Sequence, residues 1–146
     1  MALGKILLGG ILLASAATDL MWRRIPNQLI GIGLISFFAL AGWMLRRGED
    51  ALLAGCLYAG ALSFFLHLIP WFLQGMGAGD VKLAFVIGLL MGWKDWAGFL
   101  GMYCVVLLFA SVVFLSMGKR RPKTLPLAPF MTAAYFLHRI FMIYSP

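Results

Sequence analysis

The sequence predicts an all-α integral membrane protein that folds as a bundle of about six transmembrane helices. Hydrophobic residues make up 63% of the chain and charged residues only 12%, which is far from the balance of a soluble domain. At about 20 apolar residues per spanning helix, 146 residues are enough for about six crossings joined by short connections. We therefore expect residues 1–146 to form a single transmembrane domain.

Apolar runs separated by charged or glycine-rich breaks define the predicted helices in order. These helices run from Leu3 to Trp22, Leu29 to Leu45, Ala51 to Phe72, Val81 to Trp93, Trp96 to Met117 and Leu125 to Tyr144. The fourth is short, because its 13 residues rise only about 20 Å, less than the roughly 30 Å of a hydrocarbon core. The loop Gly75–Gly79 is therefore expected to dip into the membrane and carry Asp80 below the headgroups.

The basic residues set the expected orientation. A net charge of +7 could indicate nucleic acid, but these residues lie in small groups between apolar runs, as topology signals and contacts to anionic lipid do. One side holds seven of them: Arg23, Arg24, Lys82, Lys119, Arg120, Arg121 and Lys123. The other side holds five: Lys5, Arg46, Arg47, Lys94 and Arg139. The excess places the first, third and fifth loops in the cytoplasm and both termini outside.

The first apolar run raises an alternative, because Ala14-Ser15-Ala16 resembles the cleavage site of a secretory signal. Arg23 and Arg24 follow the run directly, so we expect it to remain as a helix with its C-terminal end in the cytoplasm.

Cysteine and histidine give no sign of a metal or cofactor site. Cys56 and Cys104 lie far apart in apolar runs, and His67 and His138 have no carboxylate or cysteine partner at ligand spacing. We therefore predict that all four pack between helices and that the protein needs no cofactor or metal.

Asp19 and Asp80 are the residues to which the sequence assigns chemistry. Only five residues are acidic, and a carboxylate in or beside the apolar zone is costly enough to indicate function. Asp19 ends the first predicted helix and Asp80 opens the fourth, so alternate crossings bring both to the same face. Two carboxyl groups a few ångströms apart share a proton, which leaves one acid and one base. Such a pair can activate water for attack on a peptide carbonyl.

Residues near the aspartates have both functional and structural interpretations. Gly77 and Gly79 suit a catalytic site, since glycine permits positive φ and the close approach of a substrate. Asp80 could simply be a helix N-cap, a role that is compatible with catalysis.

Arg23 lies one helical turn from Asp19 and could form an ordinary interfacial ion pair. Lys82 points to a different helix face from Asp80, so the alternative to a site role is a snorkelling anchor.

Two segments closely resemble the paired motifs of prepilin peptidases, the G-x-G-D family of membrane aspartic proteases: Asp-Leu-Met-Trp-Arg-Arg-Ile-Pro-Asn at 19–27 and Gly-Ala-Gly-Asp-Val-Lys at 77–82. The resemblance covers nearly the whole chain and implies that Asp19 and Asp80 are catalytic. It implies cleavage of a short basic leader from a prepilin or pseudopilin precursor, typically after glycine, at the cytoplasmic face of a bacterial inner membrane. It also implies that Pro126 and Pro129, which open the last helix, help to shape the substrate cleft.

The chain departs from the long members of that family, whose cysteine-containing cytoplasmic insertion has no counterpart here. It resembles instead the short TadV/CpaA-like type that serves Flp or tight-adherence pili, so we expect no methyltransferase activity. The expected partners are the precursor and membrane lipids, not nucleic acid. Two other function classes remain open: a small cation- or proton-coupled transporter or channel, and a non-catalytic membrane subunit of a pilus or secretion machine.

Overall fold

A computed structural model describes residues 2–73, 76–116 and 127–144 of the chain. Within these ranges the chain forms five α-helices and no strand: α1 (Ala2–Trp22), α2 (Asn27–Arg46), α3 (Asp50–Phe72), α4 (Ala78–Ser116) and α5 (Ala128–Tyr144). Four described segments are long and apolar enough to cross a membrane: Gly4–Trp22, Asn27–Arg46, Asp50–Phe72 and Ala78–Phe109. The prediction of an all-α, multi-pass membrane protein is confirmed.

The break in α4 lies within two residues of the predicted one. Two helices were expected with a turn between Trp93 and Trp96, and α4 consists of two helical halves that join at a non-helical residue, Gly92. Gly92 has φ 73° and ψ 170°, a conformation open essentially to glycine alone. The count of about six is therefore not confirmed, since the described residues form five helices, of which the fourth has two halves.

The predicted helix limits hold to within two residues for α1, α2 and α3. α4 begins at Ala78, three residues before its predicted start. Gly75, Met117 and Leu125 lie outside the described residues, as does the basic run from Lys119 to Lys123.

Helices α3 and α4 pack with their backbones in close contact. A Cβ atom added to Gly88 would lie 2.5 Å from the carbonyl oxygen of Ala59 and 2.7 Å from the Cα of Gly60. Small residues of this kind let helices approach closely in a membrane, where dispersion and interhelical hydrogen bonds drive association. Ser63 Oγ adds such a bond by donating to the carbonyl of Ala84 at 2.8 Å. These contacts place the first half of α4 firmly against α3.

The end of the bundle at Lys5 is held by polar contacts between distant segments. Lys5 forms a salt bridge with Asp95, and Tyr135 Oη donates to the backbone carbonyl of Lys5 at 2.6 Å. The prediction that both cysteines and both histidines pack between helices is confirmed for Cys56, His67 and His138, which are buried. It is wrong for Cys104, which is exposed on α4, because an apolar stretch of a spanning helix also has positions that face lipid. Nδ1 of His67 donates to the Ser63 carbonyl at 2.8 Å.

Candidate active site

Asp19 lies in the last turn of α1, beside the turn that joins α1 to α2. Arg23 ends the helix with φ 51°, a left-handed conformation that is uncommon outside glycine. Its N–H donates to the Asp19 carbonyl at 2.9 Å, and Pro26, in extended conformation, precedes the first residue of α2. The chain therefore reverses immediately after Asp19, whose side chain is only 7% exposed.

Asp80 lies in the first turn of α4, where its N–H donates to the carbonyl of Gly77 at 3.1 Å. The residue is 9% exposed, and its Oδ1 has no hydrogen-bond partner among the described residues. A buried carboxyl oxygen without a partner is unusual, because desolvation is then uncompensated.

Gly77 and Gly79, which precede Asp80, leave room for its carboxyl group and for the turn after α1. Neither adopts the positive φ that glycine permits, since the described glycines with positive φ are Gly48 and Gly92. A Cβ atom on Gly77 would lie 3.1 Å from Oδ2 of Asp80, and one on Gly79 would lie 3.2 Å from Cβ of Ile25. Larger side chains would crowd the carboxyl group itself or the turn after α1.

A cavity of about 290 Å³ joins the two segments. Its lining contains six of the residues that the sequence assigned to the site: Asp19, Arg23, Gly77, Gly79, Asp80 and Lys82. Arg24, Ile25, Asn27 and Ala78 complete it. Asp19 and Asp80, here called the aspartate pair, therefore line one cavity from two different helices.

The N-terminus of α5 contacts Asp19 directly. The backbone N–H of Ala128 donates to Oδ2 of Asp19 at 3.3 Å. This N–H is one of the free donors at a helix start, and the positive end of the helix dipole favours a carboxylate there. Thr132 Oγ1 lies 3.0 Å from the Leu12 carbonyl of α1 and 2.8 Å from the Ala128 carbonyl of its own helix, and its single proton is shared between these two acceptors.

Sequence reasoning missed Ala128, because it acts through a backbone N–H that every residue except proline carries. The only signal was the neighbouring Pro129, which opens the helix at a position where a missing N–H removes no helical hydrogen bond. Pro129 is not among the residues that line the cavity. Pro126, also predicted to shape the site, lies outside the described residues.

Lys82 reaches the cavity although it points away from Asp80 along the helix. Its Nζ donates to Oδ1 of Asn27 at 3.2 Å and so links α4 to the start of α2. The long aliphatic stem makes this possible, because it carries the charge to the polar rim. Arg23 contributes a second positive charge that acts on Asp19. In the described part of the chain, no three His, Cys, Asp or Glu side chains group as metal ligands.

Fold and site together define a class: helical, multi-pass membrane proteins with a pair of buried aspartates at one end of the bundle. Residues 6–119 match the type IV leader peptidase family, and the chain belongs to that family. Both aspartates lie inside the matched range, whereas α5 follows it.

One curated relative is the prepilin leader peptidase/N-methyltransferase of Bacillus subtilis (strain 168). The two are 34% identical over 131 residues, which cover 87% of this chain and 51% of the relative. The chain thus spans about half the length of the curated relative that it matches. No solved structure gives a significant match. The predicted resemblance to prepilin peptidases is confirmed at the level of the family.

Proposed function

We propose that the protein is a membrane aspartic endopeptidase that removes the short basic leader from prepilin-like precursors. The observation that carries the proposal is the aspartate pair: Asp19 and Asp80 come from different helices, are each less than a tenth exposed, and line one cavity. Family membership and the name of the Bacillus subtilis relative support the same reaction.

The proposed chemistry needs only water and the two carboxyl groups. One carboxylate takes a proton from water as the water oxygen attacks the peptide carbonyl, and the protonated partner gives its proton to the carbonyl oxygen. When the tetrahedral intermediate collapses, the C–N bond breaks and the leaving nitrogen takes up a proton. The products are the leader with a new carboxyl end and the mature protein with a free amino end.

Charge supports a site at the cytoplasmic face of a bacterial inner membrane. Arg23, Arg24 and Lys82 border the cavity, and basic residues accumulate on the cytoplasmic side of membrane proteins. We propose further that the protein is of the short TadV/CpaA-like type, with Flp or tight-adherence prepilins as substrates and without methyltransferase activity. The cut is proposed to follow a glycine.

The test is co-expression of the protein with each candidate prepilin and pseudopilin encoded in the same genome, followed by mass measurement of every precursor. The expected result is a mass loss that matches removal of the leader in at least one precursor. Asp19→Asn and Asp80→Asn should each lower the cleavage rate by about 10²- to 10⁴-fold, the range typical of general acid–base groups. Asp50→Asn is the matched control, because Asp50 is an exposed carboxylate at the start of α3.

Three results would contradict the proposal or a part of it. Full cleavage by either site variant, at equal protein level, excludes an aspartate mechanism. Unchanged masses for every precursor exclude leader removal. A trimmed product heavier by one methylene group shows methylation and contradicts that part alone.

A further inference from the structure

Tyr103, in the second half of α4, is a buried residue for which the proposed chemistry gives no role. Its side chain is 3% exposed, and its hydroxyl has no hydrogen-bond partner among the residues that the structure describes. Burying a hydroxyl without a partner is unfavourable, so such a group calls for a physical explanation.

The contacts between helices place Tyr103 and Asp80 at the same depth in the bundle. The hydrogen bond from Ser63 to Ala84 fixes the antiparallel register of α3 and the first half of α4. One helical turn beyond Ser63 is His67, and one turn before Ala84 is Asp80, so these two residues lie at the same depth. The His67 ring stacks on the Tyr103 ring, with centroids 5.8 Å apart and an angle of 23°. The second half of α4 therefore returns past the aspartate pair.

Asp80 and Tyr103 each lack the kind of hydrogen-bond partner that the other can provide. Oδ1 of Asp80 is a buried acceptor without a donor, and the Tyr103 hydroxyl is a buried donor without an acceptor. Phe99 also stacks on the Tyr103 ring, at 5.8 Å and 7°, and with His67 restricts its motion. His67 is itself tethered through Nδ1 to the Ser63 carbonyl.

Building on the proposed function, we propose that Tyr103 is a positioning residue for the aspartate pair: its hydroxyl is the hydrogen-bond donor that Oδ1 of Asp80 lacks. A small rotation of either side chain, or one shared water, closes the contact. The hydroxyl then fixes the orientation of the carboxyl group. With Ala128 on Asp19, each aspartate has its own donor from a later part of the chain.

The test is Tyr103→Phe, which removes the hydroxyl and keeps the ring and its stacking. Two measurements are made on purified protein: the kinetics of precursor cleavage, and the infrared band of the Asp80 carboxyl group, assigned from its loss in Asp80→Asn. We expect the band to shift and kcat to fall by about ten- to a hundredfold with little change in KM, the size of a lost hydrogen bond to a charged group. Tyr58→Phe is the matched control, since Tyr58 is 59% exposed and contacts Trp93 at the other end of the bundle.

An unshifted Asp80 band in Tyr103→Phe overturns the proposal, whatever the activity, because no hydrogen bond was then lost. A fall in kcat that is matched by a lower apparent Tm, with the band unchanged, assigns Tyr103 a packing role. If the wild-type protein cleaves no precursor, the proposed function fails, while the infrared comparison still decides whether Tyr103 contacts Asp80.

Discussion

Gly77 and Asp80 pack closely against each other in the candidate site. The carboxyl group lies so near the backbone of Gly77 that one added methyl group would be 3.1 Å from Oδ2. This is tighter than ordinary van der Waals contact by a few tenths of an ångström. The glycine is therefore required by the position of the carboxyl group, whereas the backbone conformation alone would accept another residue.

Gly77→Ala is accordingly expected to reduce cleavage without unfolding the protein. The methyl group should displace the Asp80 carboxyl by a few tenths of an ångström and lower kcat by about tenfold, since acid–base groups tolerate little misplacement. The apparent Tm should change little, because a side chain rather than backbone must move. Steady-state kinetics in detergent or liposomes provide the measurement.

Gly31→Ala is the control for that substitution, because a Cβ atom on Gly31 would meet nothing within 4 Å. Its kcat should equal that of the wild type. Full activity in Gly77→Ala would show that Asp80 has more room than the structure gives it.

The contact between α3 and α4 is the main contact between helices. Gly60 and Gly88 face each other across it, and the atoms that an extra methyl group on Gly88 would meet belong to the backbone of Ala59 and Gly60. Backbone cannot rotate aside as a side chain can. The helices must therefore separate if Gly88 is enlarged, which would also disturb the Ser63–Ala84 hydrogen bond and the register that aligns His67 with Asp80.

Gly88→Ala should therefore destabilise the bundle by about 1–3 kcal/mol, the usual cost of overpacking. Reversible unfolding in mixed detergent, or the apparent Tm where unfolding is irreversible, measures the effect.

Gly101→Ala in the same helix is the comparison, since its Cβ atom would meet nothing within 4 Å. It should leave stability unchanged or raise it slightly, because alanine favours helix over glycine. Equal stability of the Gly88 and Gly101 variants would contradict the close packing.

The whole molecule has two unlike ends. The aspartate pair, Arg23, Arg24 and Lys82 meet at one end, while the other holds the Lys5–Asp95 salt bridge. Between them, large apolar side chains such as Phe38, Phe65 and Leu108 are exposed, as expected of a surface in contact with lipid. The orientation of the helical bundle in the membrane determines whether the aspartate pair can bind a precursor in the cytoplasm.

The basic residues predict that the aspartate pair faces the cytoplasm, and cysteine accessibility tests this prediction. In a variant in which Cys56 and Cys104 are replaced, Gly48→Cys should react with a membrane-impermeant thiol reagent in intact cells, and Arg24→Cys should react only after permeabilisation. Both positions are exposed in the structure, so access depends on the side of the membrane. The opposite labelling pattern would place the aspartate pair outside and contradict cleavage in the cytoplasm.

Much of the fold and the central pair of the candidate site were predictable from sequence, because the signals are local. The length of an apolar run predicts a spanning helix, and the limits of α1, α2 and α3 follow to within two residues. The cost of a carboxylate near lipid singles out Asp19 and Asp80 among five acidic residues. Alternate crossings bring them to one end, and the structure places both in one cavity.

Only the tertiary structure decided how the pair is surrounded. The donor to Asp19 comes from Ala128, 109 residues away, and any residue except proline could supply it. Gly92 rather than the turn near Lys94 breaks α4, because that glycine adopts a φ that other residues rarely accept. Gly77 leaves room for the carboxyl group of Asp80. Tyr103, in the second half of α4, lies at the same depth in the bundle as Asp80. The positions of Ala128 and Tyr103 depend on distances between segments remote in sequence, and those of Gly77 and Gly92 on backbone conformation, neither of which a periodic pattern along the chain encodes.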